Sequence, residues 1–187
     1  MTSRVSLLGG FVLAASVMLS GQTPPPVPGV QGTMALEGTT KSVYAAAHIV
    51  IVKTIDGVEH VIHYTKDLLV HGGKGGGVDA LQGLAEGSTV VVHYTATGAE
   101  ETAQEIDRVG DKGLKTTEGV VARVDRLRKQ ITIKYANGKS ETLQLTDRAA
   151  AEAEKDIDEA SGGATKVVVY YSDEAGRKVA HYFRKIS

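Results

Sequence analysis

Ile131, Ile133 and Tyr135 alternate with Thr132 and Lys134, and after Asn137-Gly138 the alternation resumes through Leu143 and Leu145. Apolar positions at period two mark strands with one buried face. Val120 to Asp125, Gln130 to Tyr135 and Ser140 to Thr146 therefore read as three consecutive strands. Asn and Gly both tolerate positive φ, so Asn137-Gly138 predicts a two-residue type I′ turn between the second and third. From Asp147 the period changes. The run to Ala160 is rich in strong helix formers, opens on a residue suited to an N-cap and stops at Ser161-Gly162-Gly163, which predicts a helix. Lys166 to Tyr171 and Lys178 to Ile186 follow as a fourth and a fifth strand, joined by a turn over Ser172 to Gly176.

The same pattern occurs earlier in the chain. Slid back by 81 positions, Glu118, Gly119, Val124, Lys134, Gly138 and Thr146 fall on Glu37, Gly38, Val43, Lys53, Gly57 and Thr65 without a gap. Ile131 and Ile133 fall on Val50 and Val52. Such self-similarity marks a repeated structural unit. In the first copy the strand candidates are the stretch around Val43, His48 to Thr54, Val58 to Thr65, Ser88 to Thr95 and Thr102 to Val109, with a turn at Asp56-Gly57. Its connection from Asp67 to Gly87 replaces most of the helix with His71-Gly72-Gly73-Lys74-Gly75-Gly76-Gly77, leaving a short helical turn over Val78 to Ala85.

Three strands, a helix and two strands is the order of the OB-type barrel, a five-stranded Greek-key fold. The chain is thus expected to be mainly β: two tandem five-stranded OB-like small β-barrels, with a helix between strands 3 and 4 of the second. The barrels span residues 35–109 and 118–187, joined by a linker at 110–117. Gly119-x-Val121-x-x-Val124, the Ile-x-Ile strand, the Gly turn, the closing Thr, and Leu84-x-x-Gly87-x-x-Val90-x-Val92 carry a resemblance. The chain resembles the tandem small β-barrel repeats of exported bacterial proteins, a family of unknown function. The second copy departs from it, with Gly162-Gly163-Ala164-Thr165-Lys166 in place of the Leu-x-x-Gly.

The N-terminus bears on location. Arg4 precedes an apolar run from Val5 to Leu19 that ends at Ser20 and Gly21. It is short of the roughly 20 residues of a membrane span and has the form of a secretory signal over residues 1–21. Gln22 stands where a lipoprotein would need Cys, so no lipid anchor is expected. Residues 22–34, with Pro24-Pro25-Pro26, form an extended spacer. The protein is therefore expected to be secreted or periplasmic, with no membrane span once the signal is removed.

Charge separates the two copies. Residues 30–113 carry 6 basic and 11 acidic side chains, and residues 114–187 carry 14 and 11. A basic surface is thus expected on the second copy alone. There Arg123, Arg126, Arg128, Lys129, Arg177, Lys178, Arg184 and Lys185 are interleaved with Tyr170, Tyr171, Tyr182 and Phe183. The expected role is a structural or ligand-binding one in the cell envelope, with the partner open. Since OB folds bind polymers through such grooves, an envelope polysaccharide or other polyanion is the alternative reading and a protein partner another, while nucleic acid is not expected. The same charges also serve simply to discourage edge pairing.

Candidate chemistry is sparse. The chain has no cysteine, which removes thiol catalysis and thiolate metal sites. The glycine run lacks the spacing of a nucleotide-binding loop, and no Gly-x-Ser-x-Gly is present. Asp156, Asp158 and Glu159 read as a solvated helix face. Neither an enzyme nor a cofactor is expected, and no catalytic or ligand-binding residue is assigned. His48, His60, His63, His71 and His93 gather in the first copy, with His181 in the second. Residues three apart on a strand point to opposite faces, so His60 and His63 do not share a metal. His63, His71 and His93 remain the candidate set for zinc or copper, without an evident carboxylate to complete it.

Overall fold

The computed structural model describes residues 33–72, 81, 84–111, 113–157 and 165–186. The signal segment, nearly all of the proline-rich spacer and most of the glycine run lie outside them, as does the end of the predicted helix. Among the described residues, ten strands and one α-helix follow in chain order, with a 3-10 turn at Ala45–Ala47 between the first two strands: β1 (Thr33–Tyr44), β2 (Ile49–Thr54), β3 (Glu59–His71), β4 (Thr89–Thr97), β5 (Glu100–Arg108), β6 (Lys115–Asp125), β7 (Gln130–Lys134), β8 (Ser140–Leu145), α1 (Asp147–Asp156), β9 (Lys166–Glu174) and β10 (Arg177–Lys185). They close into two barrels, ordered β1-β2-β3-β5-β4 and β6-β7-β8-β10-β9. Within each barrel the third and fifth strands run parallel and the other described pairs antiparallel. This is the OB-type connectivity that the element order predicts.

Each barrel has its own apolar core. Val50, Val52, Ile62, Val92 and Ile106 fill the first, and Ile131, Ile133, Leu143, Val169 and Phe183 the second. In the second, α1 closes one end with Ala149, Ala153 and Ile157. Its N-cap is Thr146, whose hydroxyl accepts from the Ala149 amide at 3.1 Å, and not Asp147, which occupies the first helical turn. In the first barrel Leu81 and Leu84 lie in the core, and the Leu84 amide donates to the Leu81 carbonyl at 2.9 Å.

The hairpin turns differ from the expected type. Asn137 keeps a negative φ while Gly138 has φ 79°. The Gly138 amide donates to the Tyr135 carbonyl, and the Tyr135 amide to that of Lys139. That is a three-residue loop ending in a left-handed glycine, and Asn137 contributes its side chain, accepting from the Lys139 amide at 3.0 Å. Thr54, Gly57 and Val58 repeat the arrangement in the first barrel. The repeat glycines Gly38 and Gly119 have a different cause. A Cβ at Gly38 would strike the Val52 side chain and the Lys53 carbonyl, and one at Gly119 would strike their counterparts on Ile133 and Lys134. Both keep the first strand pressed against the second.

β3 runs six residues past Thr65, where the sequence pattern ends the strand. Its pairing with β5 shifts between Tyr64 and Leu69, which turns Leu68 into the core and brings His71 opposite Asp107. The connection between barrels is also tighter than the 110–117 linker. Val109 and Leu114 form a bridge, and β6 starts at Lys115.

The barrels meet through equivalent faces. Val91 of β4, Leu114, and Val168 and Tyr170 of β9 form a buried apolar cluster, with Val109, Tyr182 and Ile186 against it. β9 and β10 begin 77 positions after β4 and β5 (166 − 89; 177 − 100), so Val168 is the counterpart of Val91. Beside this cluster the Arg184 Nε donates to Glu37 Oε2 at 2.7 Å. Burial, then the Glu37 carboxylate, pushes the Tyr170 hydroxyl up to about 12, with Arg184 pulling the other way.

Two outcomes are expected. Gly119→Ala lowers stability by about 1–3 kcal/mol, read as a fall in melting temperature; an unchanged midpoint would show that the strands separate freely there. The folded state favours neutral Tyr170, so its contribution to stability is complete below pH ~10 and is lost as pH rises toward ~12. In an alkaline titration followed by phenolate absorbance, the last tyrosine to ionise is absent from Tyr170→Phe.

Candidate functional site

Four side chains with metal-ligating atoms converge where the barrels join. Glu105 and Asp107 project from β5, His71 ends β3, and His181 comes from β10 of the other barrel; their candidate ligand atoms all lie within 4.8 Å of one another. The strands set these directions. Ala103 and Ile106 both enter the first core because the β4–β5 register shifts between His93 and Tyr94. Glu105 and Asp107 are thereby left on the outer face, toward the second barrel. In β10 the register with β9 shifts between Ala180 and Tyr182, so His181 is the extra residue of a bulge. A bulge re-aims the side chain it carries.

His71 Nδ1 is 2.6 Å from Asp107 Oδ1 and 3.1 Å from Glu105 Oε1. His181 Nδ1 lies 3.5 Å from Asp107 Oδ2 and 3.8 Å from Glu105 Oε1. The two imidazoles meet edge to face, with centroids 5.6 Å apart. Arg148 of α1 pairs through Nη1 with Glu105 Oε2, the oxygen turned away from the histidines. His93 Nε2 is 3.7 Å from Asp107 Oδ2. Glu105, Asp107 and His181 are buried, while His71 is half exposed.

Burial opposes charge on both carboxylates, yet His181 and His71 more than offset it and hold them below the ordinary carboxylate range. His71 is raised to about 10 by its bonds to Asp107 and Glu105. Burial works against the charged form of His181, but the same carboxylates outweigh it and raise the group to about 9. Two polar atoms of the cluster are nevertheless buried without a hydrogen bond: Asp107 Oδ2 and His181 Nδ1. Buried polar atoms are rarely left so, and such exceptions point to an unmet partner.

Ser172, His181 and Asp107 have the connectivity of a nucleophilic triad, since Ser172 Oγ lies 2.9 Å from His181 Nε2. The proton directions oppose that role. Ser172 donates to Glu174 Oε1 at 2.6 Å, so its hydroxyl proton is committed away from the imidazole. A histidine that stays protonated near neutrality is no general base.

Of the expected histidine set, His71 is in the cluster, His93 lies behind Asp107, and His63 is elsewhere on β3, paired in register with Ile49. His60 is bound to Glu101 at 2.9 Å, and His48 lies against Tyr64. The expectation of no evident carboxylate is corrected by Glu105 and Asp107, and His181 joins from the second barrel. The basic side chains of the second barrel are largely paired. Arg123 and Arg128 both pair with Asp125, Lys129 with Asp147, Lys178 with Glu141 and Arg184 with Glu37. Of the four aromatics, Tyr170 and Phe183 are buried and Tyr171 and Tyr182 partly exposed.

The fold and cluster define a tandem OB-like barrel protein with a histidine–carboxylate site between its barrels. No family model matches the chain, and no curated protein matches it. Among solved structures, a crystal structure of silver(I)-bound CusF is similar to it over 41% of this chain and 96% of its own, with 10% identity and a TM-score of 0.31. The OB-like assignment rests on the strand order within each barrel. No helix among the described residues is long and apolar enough to cross a membrane.

Removing one member of the buried cluster should be costly in proportion to its burial. Asp107→Asn, measured by urea unfolding with chelator present, is expected to lose about 3 kcal/mol, because it leaves Glu105 alone to balance two cationic imidazoles. His71→Gln, at a half-exposed position, is expected to lose about 1 kcal/mol or less. Equal losses would show that burial does not set the energetics here.

Proposed function

We propose that this is an exported, non-enzymatic protein that binds one divalent transition-metal ion between its two barrels. The ligands are Nδ1 of His71, Nδ1 of His181 and one carboxylate oxygen each from Glu105 and Asp107. The observation that carries the reading is the pair of buried atoms without hydrogen bonds, Asp107 Oδ2 and His181 Nδ1, facing each other at 3.5 Å within the cluster.

The spacing suits a small ion. Tetrahedral zinc at about 2.0–2.1 Å from nitrogen and oxygen ligands places them about 3.3 Å apart. Glu105 Oε1 lies 3.1 and 3.8 Å from the two histidine nitrogens, while Asp107 faces His71 with Oδ1 at 2.6 Å and His181 with Oδ2 at 3.5 Å. The donor set selects further. Imidazole and carboxylate suit zinc and copper(II), whereas copper(I) and silver(I) favour sulfur ligands, and the cluster contains none. Charge agrees: a dication that displaces the Nδ1 protons of both histidines leaves the net charge of this buried region unchanged. Arg148 holds Glu105 Oε2 and leaves Oε1 for the ion. Export is supported by the signal-like segment at residues 1–21 and by the resemblance to exported barrel repeats.

The test is calorimetry of the chelator-treated chain with zinc, copper(II) and silver(I) salts, together with thermal melts. One saturable equivalent of zinc or copper(II) is expected, with stabilisation of about 2.7 kcal/mol at a free metal concentration of about 100 Kd. Asp107→Asn and His181→Gln are expected to lose it. Absence of saturable binding, or tighter binding of silver(I) than of zinc, overturns the reading.

A further inference from the structure

We propose that Ser172 and Glu174 are positioning residues for this site, keeping a proton on His181 Nε2 so that Nδ1 is the nitrogen that gives up its proton to the metal. The inference rests on the metal-binding reading above and adds what prepares its ligand from the second barrel.

The direction of the hydrogen bonds carries it. An ionised carboxylate only accepts, so the 2.6 Å contact between Ser172 Oγ and Glu174 Oε1 consumes the serine proton. The contact of 2.9 Å between Ser172 Oγ and His181 Nε2 must then run the other way, from the ring N–H to the hydroxyl oxygen. Glu174 Oε1 is itself 3.5 Å from Nε2 and favours the same proton. With Nε2 protonated, a neutral imidazole has its lone pair on Nδ1, the atom that faces Asp107 and Glu105. A histidine ligand is typically oriented by such a bond at its other nitrogen.

Position agrees with this role. Ser172 pairs with Val179 in the β9–β10 ladder, one pair removed from the bulge at His181, which follows the Tyr171–Ala180 pair. A bulged residue is not paired in that ladder, so its ring orientation depends on side-chain partners. Ser172 supplies one behind the ring, while the carboxylate pair occupies the front.

The experiment is a zinc titration of the full chain, Ser172→Ala and Ser172→Thr, with nitrogen-15 NMR of the imidazole rings in the zinc-loaded proteins. Ser172→Ala is expected to weaken zinc binding about tenfold while lowering the metal-free melting temperature by only the few degrees that follow from losing one hydrogen bond. Ser172→Thr keeps the hydroxyl, suits a strand and is expected to restore the affinity. In the wild type, His181 is expected to show metal at Nδ1 and a proton at Nε2. Wild-type affinity in Ser172→Ala overturns the proposal and leaves the metal site standing, whereas zinc found on His181 Nε2 overturns both the proposal and the Nδ1 ligand assignment. A wild-type chain that does not bind zinc overturns the proposal and the metal site alike.

Discussion

Two carboxylates buried side by side cannot stay ionised unless cations reach them, and the junction of this protein is arranged around that requirement. Glu105 and Asp107 stand two residues apart on β5, both nearly without solvent. The first barrel alone brings His71 and, behind Asp107, His93. His181 and Arg148 come from the second. Separating the barrels would leave Glu105 and Asp107 short of those counter-charges. The apolar cluster of Val91, Leu114, Val168 and Tyr170 supplies contact area; the carboxylates select the geometry of that contact, since charge pairs fail when misplaced.

The repeat shows how one surface took two chemistries. Under the 77-residue offset, Tyr170 corresponds to His93, Tyr182 to Glu105, Arg184 to Asp107 and His181 to Gln104. Each barrel offers the same outer face of its last two strands to the other. On the first that face is acidic and imidazole-bearing; on the second it is aromatic, with an arginine that crosses to Glu37. Val91 and Val168 stayed alike and remain packed at the centre. Two like surfaces can meet by a rough twofold relation, and divergence outside the shared apolar patch made them complementary.

Much of the fold was legible because closure of a small barrel depends on local rules. Alternation at Ile131, Ile133 and Tyr135, the turn glycines Gly57 and Gly138, and the recurrence of Gly38 as Gly119 all report backbone requirements that hold in both copies. The site was legible only in part, for a physical reason. His71 was a candidate, but the shift between Tyr64 and Leu69 that carries β3 on to it breaks the period from which strands are read. The stretch Glu105-Ile106-Asp107 conceals its role likewise: the irregularity at Gln104 changes which face each later residue occupies, so the carboxylates do not stand out against a clean alternation. His181 sits on a bulge and belongs to the other barrel, and no spacing in the sequence joins it to His71.

These irregularities share a destination. The extension of β3 ends at His71, the bulge in β10 presents His181, and the helix that replaces the glycine-rich connection of the first copy sends Arg148 to Glu105. Each departs from the rule its neighbours follow: a strand that outruns its repeat counterpart, a residue unpaired in a ladder, an arginine taken into a partly buried junction. Each also serves its own barrel: Leu68 enters the first core, and Ala149, Ala153, Ala180 and Phe183 enter the second. Proteins tolerate local departures of this kind where a site requires them. The β10 bulge recurs at Gln104 of the first copy, so the repeat supplies the backbone and the side chain placed on it decides the chemistry: Gln104 in one barrel, and in the other His181, which with His71 and Arg148 meets the same two carboxylates.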